Sequence, residues 1–133
     1  MNTFQILLAS NSNAAEHIAE AHERLKMLFP LKIRFSENQE SFAVNKKDIM
    51  DEKCTYLNAI CQAYTELPLD SVQLILKVME AEMGRKRGLE AKGLVAIDLD
   101  LVEWNGEILR PRDVAQSYYQ DCLKSLNQKE STI

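Results

Sequence analysis

Asp98 and Asp100 are the residues of this 133-residue chain whose type and spacing point most directly to chemistry. They stand in Val95-Ala96-Ile97-Asp98-Leu99-Asp100-Leu101-Val102, where Val95, Ile97, Leu99 and Leu101 recur with the period of two expected of a strand. Strand geometry sends both carboxylates to one face, with their Cβ atoms roughly 6–7 Å apart. Two negative charges at that separation repel unless something positive lies between them. Magnesium suits the gap, because it prefers oxygen ligands, keeps part of its water shell and takes further contacts from phosphates. Alternation alone would explain an exposed polar face, so the spacing needs support from its surroundings. Arg85-Lys86-Arg87 supplies it, lying at the end of the preceding helix and leading by one loop into the Asp strand. A basic run there complements the helix dipole. Beside a metal-binding pair it also provides what phosphoryl transfer requires, cations that neutralise migrating charge.

The elements that must position these residues can be read along the chain. Phe4 to Leu8 is a short apolar run ending in the polar turn Ala9-Ser10-Asn11-Ser12-Asn13, a buried strand. A helix follows, capped by Ser12 or Asn13, with Ala14, Ile18, Ala21, Leu25 and Leu28 as its apolar stripe and Pro30 as its stop. Leu31, Ile33 and Phe35 alternate with polar residues as a half-buried strand, and pairing resumes near Ser41 to Val44. Asn45 to Lys53 has no period and reads as a mobile surface loop. From Tyr56 to Thr65 alternation returns, with Tyr56, Asn58, Ile60, Gln62 and Tyr64 on a partly polar face suited to a ligand. Pro68 to Met83 is the clearest helix: Asp70 and Gln73 have capping-box spacing, Val72, Ile75, Leu76, Met79 and Met83 form the stripe, and Gly84 suits the C-terminal cap. Arg85 to Gly93 is an irregular basic loop, and its stretch to Lys92 is expected to be mobile. After the Asp strand, Asn105-Gly106 turns into a short strand at Ile108-Leu109, and Asp113 caps a last helix to about Leu126 before a frayed tail. The order βαββαβ, with a C-terminal hairpin and helix added, predicts a single α+β domain over 1–133. Its form is ferredoxin-like, an antiparallel sheet with helices on one face.

Composition sets the remaining bounds. Hydrophobic residues make up 46% and charged residues 27%, a globular composition. The net charge of -4 argues against a general nucleic-acid binder. Cys54, Cys61 and Cys122 lack CxxC spacing and read as reduced thiols. The apolar run Ile6 to Ala9 is too short for a membrane span. These features predict a cytoplasmic protein with small-molecule partners, no nucleic acid and no membrane. His17 and His22 have poor metal spacing and read as solvated. Trp104 reads as a packing residue, and Met27, Met79 and Met83 as core filler. Ser10 has no base placed beside it by any nearby motif.

Taken together, Glu80-Ala81-Glu82-Met83-Gly84-Arg85-Lys86-Arg87 and Ile97-Asp98-Leu99-Asp100-Leu101 resemble the signature of the 6-hydroxymethyl-7,8-dihydropterin pyrophosphokinase family. Tyr56-Leu57-Asn58 stands where that family has a Tyr-Leu-Asn or Phe-Leu-Asn strand, and Ala9-Ser10-Asn11 where it has Gly-Ser-Asn. The likeness covers residues 4 to 109 in the expected order. It implies that Asp98 and Asp100 hold two magnesium ions bridging the phosphates of ATP, and that Arg85 and Arg87 contact the triphosphate. It also implies that Glu80 lies near the nucleotide, that Tyr56 stacks on the pterin ring and that Asn58 hydrogen-bonds the ring's edge. The implied reaction is attack of the pterin hydroxymethyl oxygen on the β-phosphorus of ATP, with AMP released, in folate biosynthesis.

The chain also departs from the family pattern. Gly93-Leu94-Val95 stands for Gly-Pro-Arg and Lys92 for a common tryptophan, and Ser41 to Lys53 lacks the family's prolines. After Leu109 the Pro-His segment and a second aromatic wall are replaced by Arg110-Pro111-Arg112-Asp113 and a short helix. Arg110 and Arg112 are candidates for the lost charge, and Tyr118 or Tyr119 for the wall. Two alternatives therefore stand beside the pyrophosphokinase: a non-catalytic nucleotide-binding or regulatory relative, and a phosphotransferase for another acceptor.

Overall fold

The computed structural model describes residues 1–44 and 50–131. Six strands, β1 (Asn2–Ser10), β2 (Ile33–Phe35), β3 (Gln39–Val44), β4 (Met50–Thr65), β5 (Asp98–Trp104) and β6 (Glu107–Ile108), form one sheet. Its order is β2-β4-β1-β5-β6, with β3 also on β4, and every pairing is antiparallel. The helices are α1 (Ala14–Leu28), α2 (Leu69–Glu82), the single turn α3 (Pro111–Val114) and α4 (Ser117–Ser131). This is the ferredoxin-like α+β arrangement that the element order predicts.

Strand β1 is the axis of the molecule, and its alternation sorts the core. Phe4, Ile6 and Leu8 point to one face, where Ala59, Cys61 and Ala63 of β4 and Leu99 and Leu101 of β5 join them beneath α1 and α2. Ile18, Ala21 and Leu25 close this face from α1, and Val72, Leu76 and Met79 from α2. Phe4 meets Phe29 edge-on at 5.1 Å and stacks on Trp104 at 5.8 Å, so Trp104 is a packing residue as expected.

Leu7 points the other way. With Ile60 and Val102 it forms a second cluster, covered by Tyr119, Cys122 and Leu126 of α4. The expectation of helices on one face therefore holds for α1 and α2, while α4 makes a third layer on the opposite face. That layer was hard to foresee because Leu7, Ile60 and Val102 alternate with residues already assigned to a core. Tyr119 anchors it: its hydroxyl donates to Gln5 Oε1 at 2.6 Å, and both side chains are buried.

Local expectations are corrected at several points. No side-chain cap bond forms at Asn13, which is left-handed with φ +44°, or at Pro68, the N-cap of α2; Asp70 lies inside that helix and accepts from the backbone of Ser71. Asp113 pairs with Arg110 and lies within α3. Helix α4 continues to Ser131, through most of the tail expected to fray. Strand β4 begins at Met50, inside the expected loop Asn45 to Lys53; residues 45–49 lie outside the described set. Met27 is 83% exposed and is not core, whereas Met79 and Met83 are buried. His22 stacks on Phe35 with centroids 4.0 Å apart, and a ring nitrogen of His17 bonds the Ser12 carbonyl, so neither is simply solvated. Gly84 does cap α2. At φ +91° it lets its own N–H reach Ala81 O and that of Arg85 reach Glu80 O, the paired bonds of a Schellman motif.

Tyr119→Phe should leave the Gln5 amide oxygen buried without its donor and destabilise the fold by about 1–3 kcal/mol. Urea unfolding measures this, and an unchanged midpoint would show that the third layer does not depend on the bond.

Candidate functional site

The register of β1 brings the sequence-derived residues onto one side of the sheet. Ala9 pairs with Asp98 on one flank and Asn58 on the other, and Leu7 pairs with Asp100 and Ile60. Asp98, Asp100, Tyr56 and Asn58 thus share the α4 face, beyond the edge of the Leu7 cluster. Two strand spacings, about 10 Å, separate the Asp98 and Asn58 backbones, with the methyl of Ala9 between them.

The carboxylates are incompletely compensated. Arg85 Nη1 donates to Asp98 Oδ1 at 3.3 Å and to the Ile97 carbonyl at 3.0 Å. Arg110 Nη2 lies 3.8 Å from Asp100 Oδ2, which brings one of the two candidate arginines beside the acidic pair. Asp98 is 33% exposed and Asp100 15%. Burial first, then the neighbouring Asp98 carboxylate, push the Asp100 carboxyl up to about 7, and Arg110 opposes the shift. Two oxygen-donor groups with open flanks fit magnesium, whose remaining ligands come from water and phosphate. Among the described residues no group of three or more His, Cys, Asp or Glu side chains forms a fuller metal cage.

Glu80 and Arg87 behave differently from Arg85. Glu80 is only 1% exposed, and its Oε2 accepts the backbone N–H of Leu99 at 2.7 Å. Arg87 Nη2 lies 2.9 Å and Lys77 Nζ 3.3 Å from its Oε1. Strand β6 pairs with Glu103 and Trp104, so among the described residues the stretch of β5 around Leu99 has no partner strand on its outer side. Glu80 fills that role between the two aspartates, while Arg87 and Lys77 balance its charge. Arg85, by contrast, keeps a buried Nε without a partner among the described residues, a donor suited to an incoming phosphate.

On the far side of Ala9, Asn58 is buried and donates to Gln39 O at 3.0 Å and to Ser41 Oγ at 2.8 Å. Both amide hydrogens are thereby committed to β3, leaving the carbonyl oxygen for other partners. Tyr56 is partly exposed and pairs in register with Ser41. Next to them opens a cleft of about 390 Å³ lined by Ser41, Phe42, Thr55, Gln116, Tyr118 and Asp121. Of the two tyrosines considered for this region, Tyr119 is locked in the core and Tyr118 lines the cleft. Burial and the carboxylates of Asp113, Asp100 and Asp98 push the Tyr118 phenol up to about 12. A second cleft, about 430 Å³, adjoins Asp100 on its other side, with Gln73, Lys77 and Arg110 on its walls. The role of Glu80 as a strand partner was not legible from sequence, because it depends on β6 being short.

A βαββαβ sheet with an acidic pair and guanidinium groups at one end of its central strands defines a ferredoxin-like α+β domain. The family model for 7,8-dihydro-6-hydroxymethylpterin-pyrophosphokinase matches residues 5–128, and the chain belongs to that family. No curated protein matches it. Membership implies a pyrophosphokinase acting on a pterin in folate biosynthesis. Among the described residues no helix is long and apolar enough to cross a membrane.

The raised Asp100 pKa has a signed consequence. Folding lifts the carboxyl from its ordinary 3.8 to about 7, so its contribution to stability is full below about pH 4 and is lost as pH rises through 7. With divalent cations chelated, the melting temperature of the wild type should fall between pH 5 and pH 8 relative to Asp100→Asn. Parallel profiles for the two proteins would show that Asp100 titrates as an ordinary carboxylate.

Proposed function

We propose that the chain transfers the pyrophosphoryl group of ATP to the hydroxymethyl oxygen of 6-hydroxymethyl-7,8-dihydropterin. The observation that carries this reading is the acidic pair Asp98 and Asp100 on one face of β5, flanked by Arg85 and Arg110, in a chain of the pyrophosphokinase family. Asp98 and Asp100 would hold magnesium, which would supply charge neutralisation on the phosphates. Arg85 turns its buried Nε–H toward the triphosphate while its Nη1 keeps Asp98 oriented. Arg87 shares its guanidinium between Glu80, held through Nη2, and the nucleotide, which its remaining N–H donors would meet. Glu80 acts on the nucleotide through β5, by fixing the strand that carries both aspartates.

The cleft beside Asp100 takes the nucleoside end, where Gln73 and Lys77 offer donors. The acceptor occupies the opposite side, with its ring on Tyr56 and its edge at the Asn58 carbonyl and Tyr118. In the reaction the hydroxymethyl oxygen forms a bond to the β-phosphorus. The bond from that phosphorus to the oxygen bridging the α-phosphorus breaks, AMP leaves with that oxygen and the hydroxyl proton is lost. Positioning and charge stabilisation by Arg85 carry most of the catalytic burden on the protein's side.

A different hydroxylated acceptor is favoured by one observation: both amide hydrogens of Asn58 are already bonded to β3. Incubating the protein with ATP, magnesium and hydroxymethyldihydropterin should yield AMP and a diphosphorylated pterin. Tyr56→Ala should raise the KM for the pterin about three- to tenfold, the weight of a ring stack, with little change in the KM for ATP. ADP in place of AMP, or no turnover with this pterin, would contradict the proposed reaction.

A further inference from the structure

The Ser10-Asn11 dipeptide at the end of β1 has no part in the reaction so far. Ser10 is fully buried, and its hydroxyl is shared between the carbonyls of Ser12 at 3.1 Å and Val95 at 3.2 Å. Asn11 makes three bonds to one segment. Its backbone N–H donates to Val95 O at 3.0 Å, its Oδ1 accepts from the Val95 N–H at 2.6 Å, and its Nδ2 donates to Gly93 O at 3.1 Å. One residue thus gives Val95 both bonds of a strand partner, at the point where the sheet ladder stops. Asp98 enters the ladder opposite Ala9 only three residues later.

The segment so held is otherwise weakly supported. Between Arg85 and Val95 the chain has a single 3-10 turn at Gly88–Ala91, left-handed residues at Gly88, Lys92 and Gly93, and Leu89 98% exposed. It is fastened at one end by Arg85, through the Ile97 carbonyl and Asp98, and at the other by Asn11. Val95 and Ile97 are two residues apart, so slack at Val95 passes directly to the carbonyl that orients Arg85.

We infer that Asn11 is a positioning residue for the polyphosphate site, setting Arg85 and Asp98 by clamping Gly93 and Val95, without itself touching the nucleotide. The inference rests on the nucleotide site proposed above. Asn11→Ala removes the side-chain bonds to Gly93 and Val95 but leaves the two core clusters intact. Asn11→Asp keeps the acceptor for the Val95 N–H and loses the donor to Gly93 O.

The test pairs two measurements on the full chain. In the free protein, Asn11→Ala should speed amide exchange at Val95 at least about tenfold, with the amides of α1 and α2 unchanged. In titrations with magnesium and a non-hydrolysable ATP analogue, affinity should fall about tenfold in Asn11→Ala and by less in Asn11→Asp. Faster exchange at Val95 with wild-type affinity would overturn the positioning role, as would unchanged exchange. Uniformly faster exchange through α1 and α2 would show Asn11 to be a general fold residue and overturn it too. A wild type that binds no nucleotide analogue would overturn the functional reading, and this inference with it.

Discussion

Repulsion between Asp98 and Asp100 is the interaction around which this end of the molecule is arranged. Alternation on β5 fixes them on one face, and partial burial removes the water that would screen them. Arg85 and Arg110 each approach one carboxylate, yet Asp100 still holds a proton to near neutrality. An acidic pair left in this condition by two arginines is primed for a cation.

Such a pair must be held against its own tendency to separate, and two devices do so from opposite sides. Glu80 substitutes for a missing strand by accepting the Leu99 N–H, which lies between the aspartates. As a buried carboxylate it would be costly alone, and Arg87 with Lys77 offsets that cost. On the other side β1 supplies the full ladder, and Asn11 extends it past the last strand residue. Helix α4 backs the same face with an apolar layer and brings Tyr118 to the wall of the neighbouring cleft.

The sequence made much of this legible and left a definable remainder. The strands and the two long helices of the βαββαβ core follow from periods of 2 and 3.6, and Gly84 marks the end of α2 as its position suggests. The shared face of Asp98 and Asp100 required only strand alternation. The second core under α4 could not be read, because Leu7, Ile60 and Val102 become a surface only after three strands are aligned in register. The capping-box spacing of Asp70 and Gln73 gave the wrong cap because Pro68 already begins α2 in extended geometry. The task of Glu80 depends on β6 being two residues long, and the bonding of Asn58 depends on β3 lying beside it. Both are tertiary facts with no local signature. The family likeness located these residues and implied ligand contacts for them, but not the protein bonds that hold them.

The most direct test of the central claim is calorimetric titration of a non-hydrolysable ATP analogue into the wild type and Asp98→Ala, each with and without magnesium. The account predicts tight binding only for the wild type with magnesium, and weak binding of similar strength in the other three cases. Equal affinity in the wild type and Asp98→Ala in the presence of magnesium would contradict it.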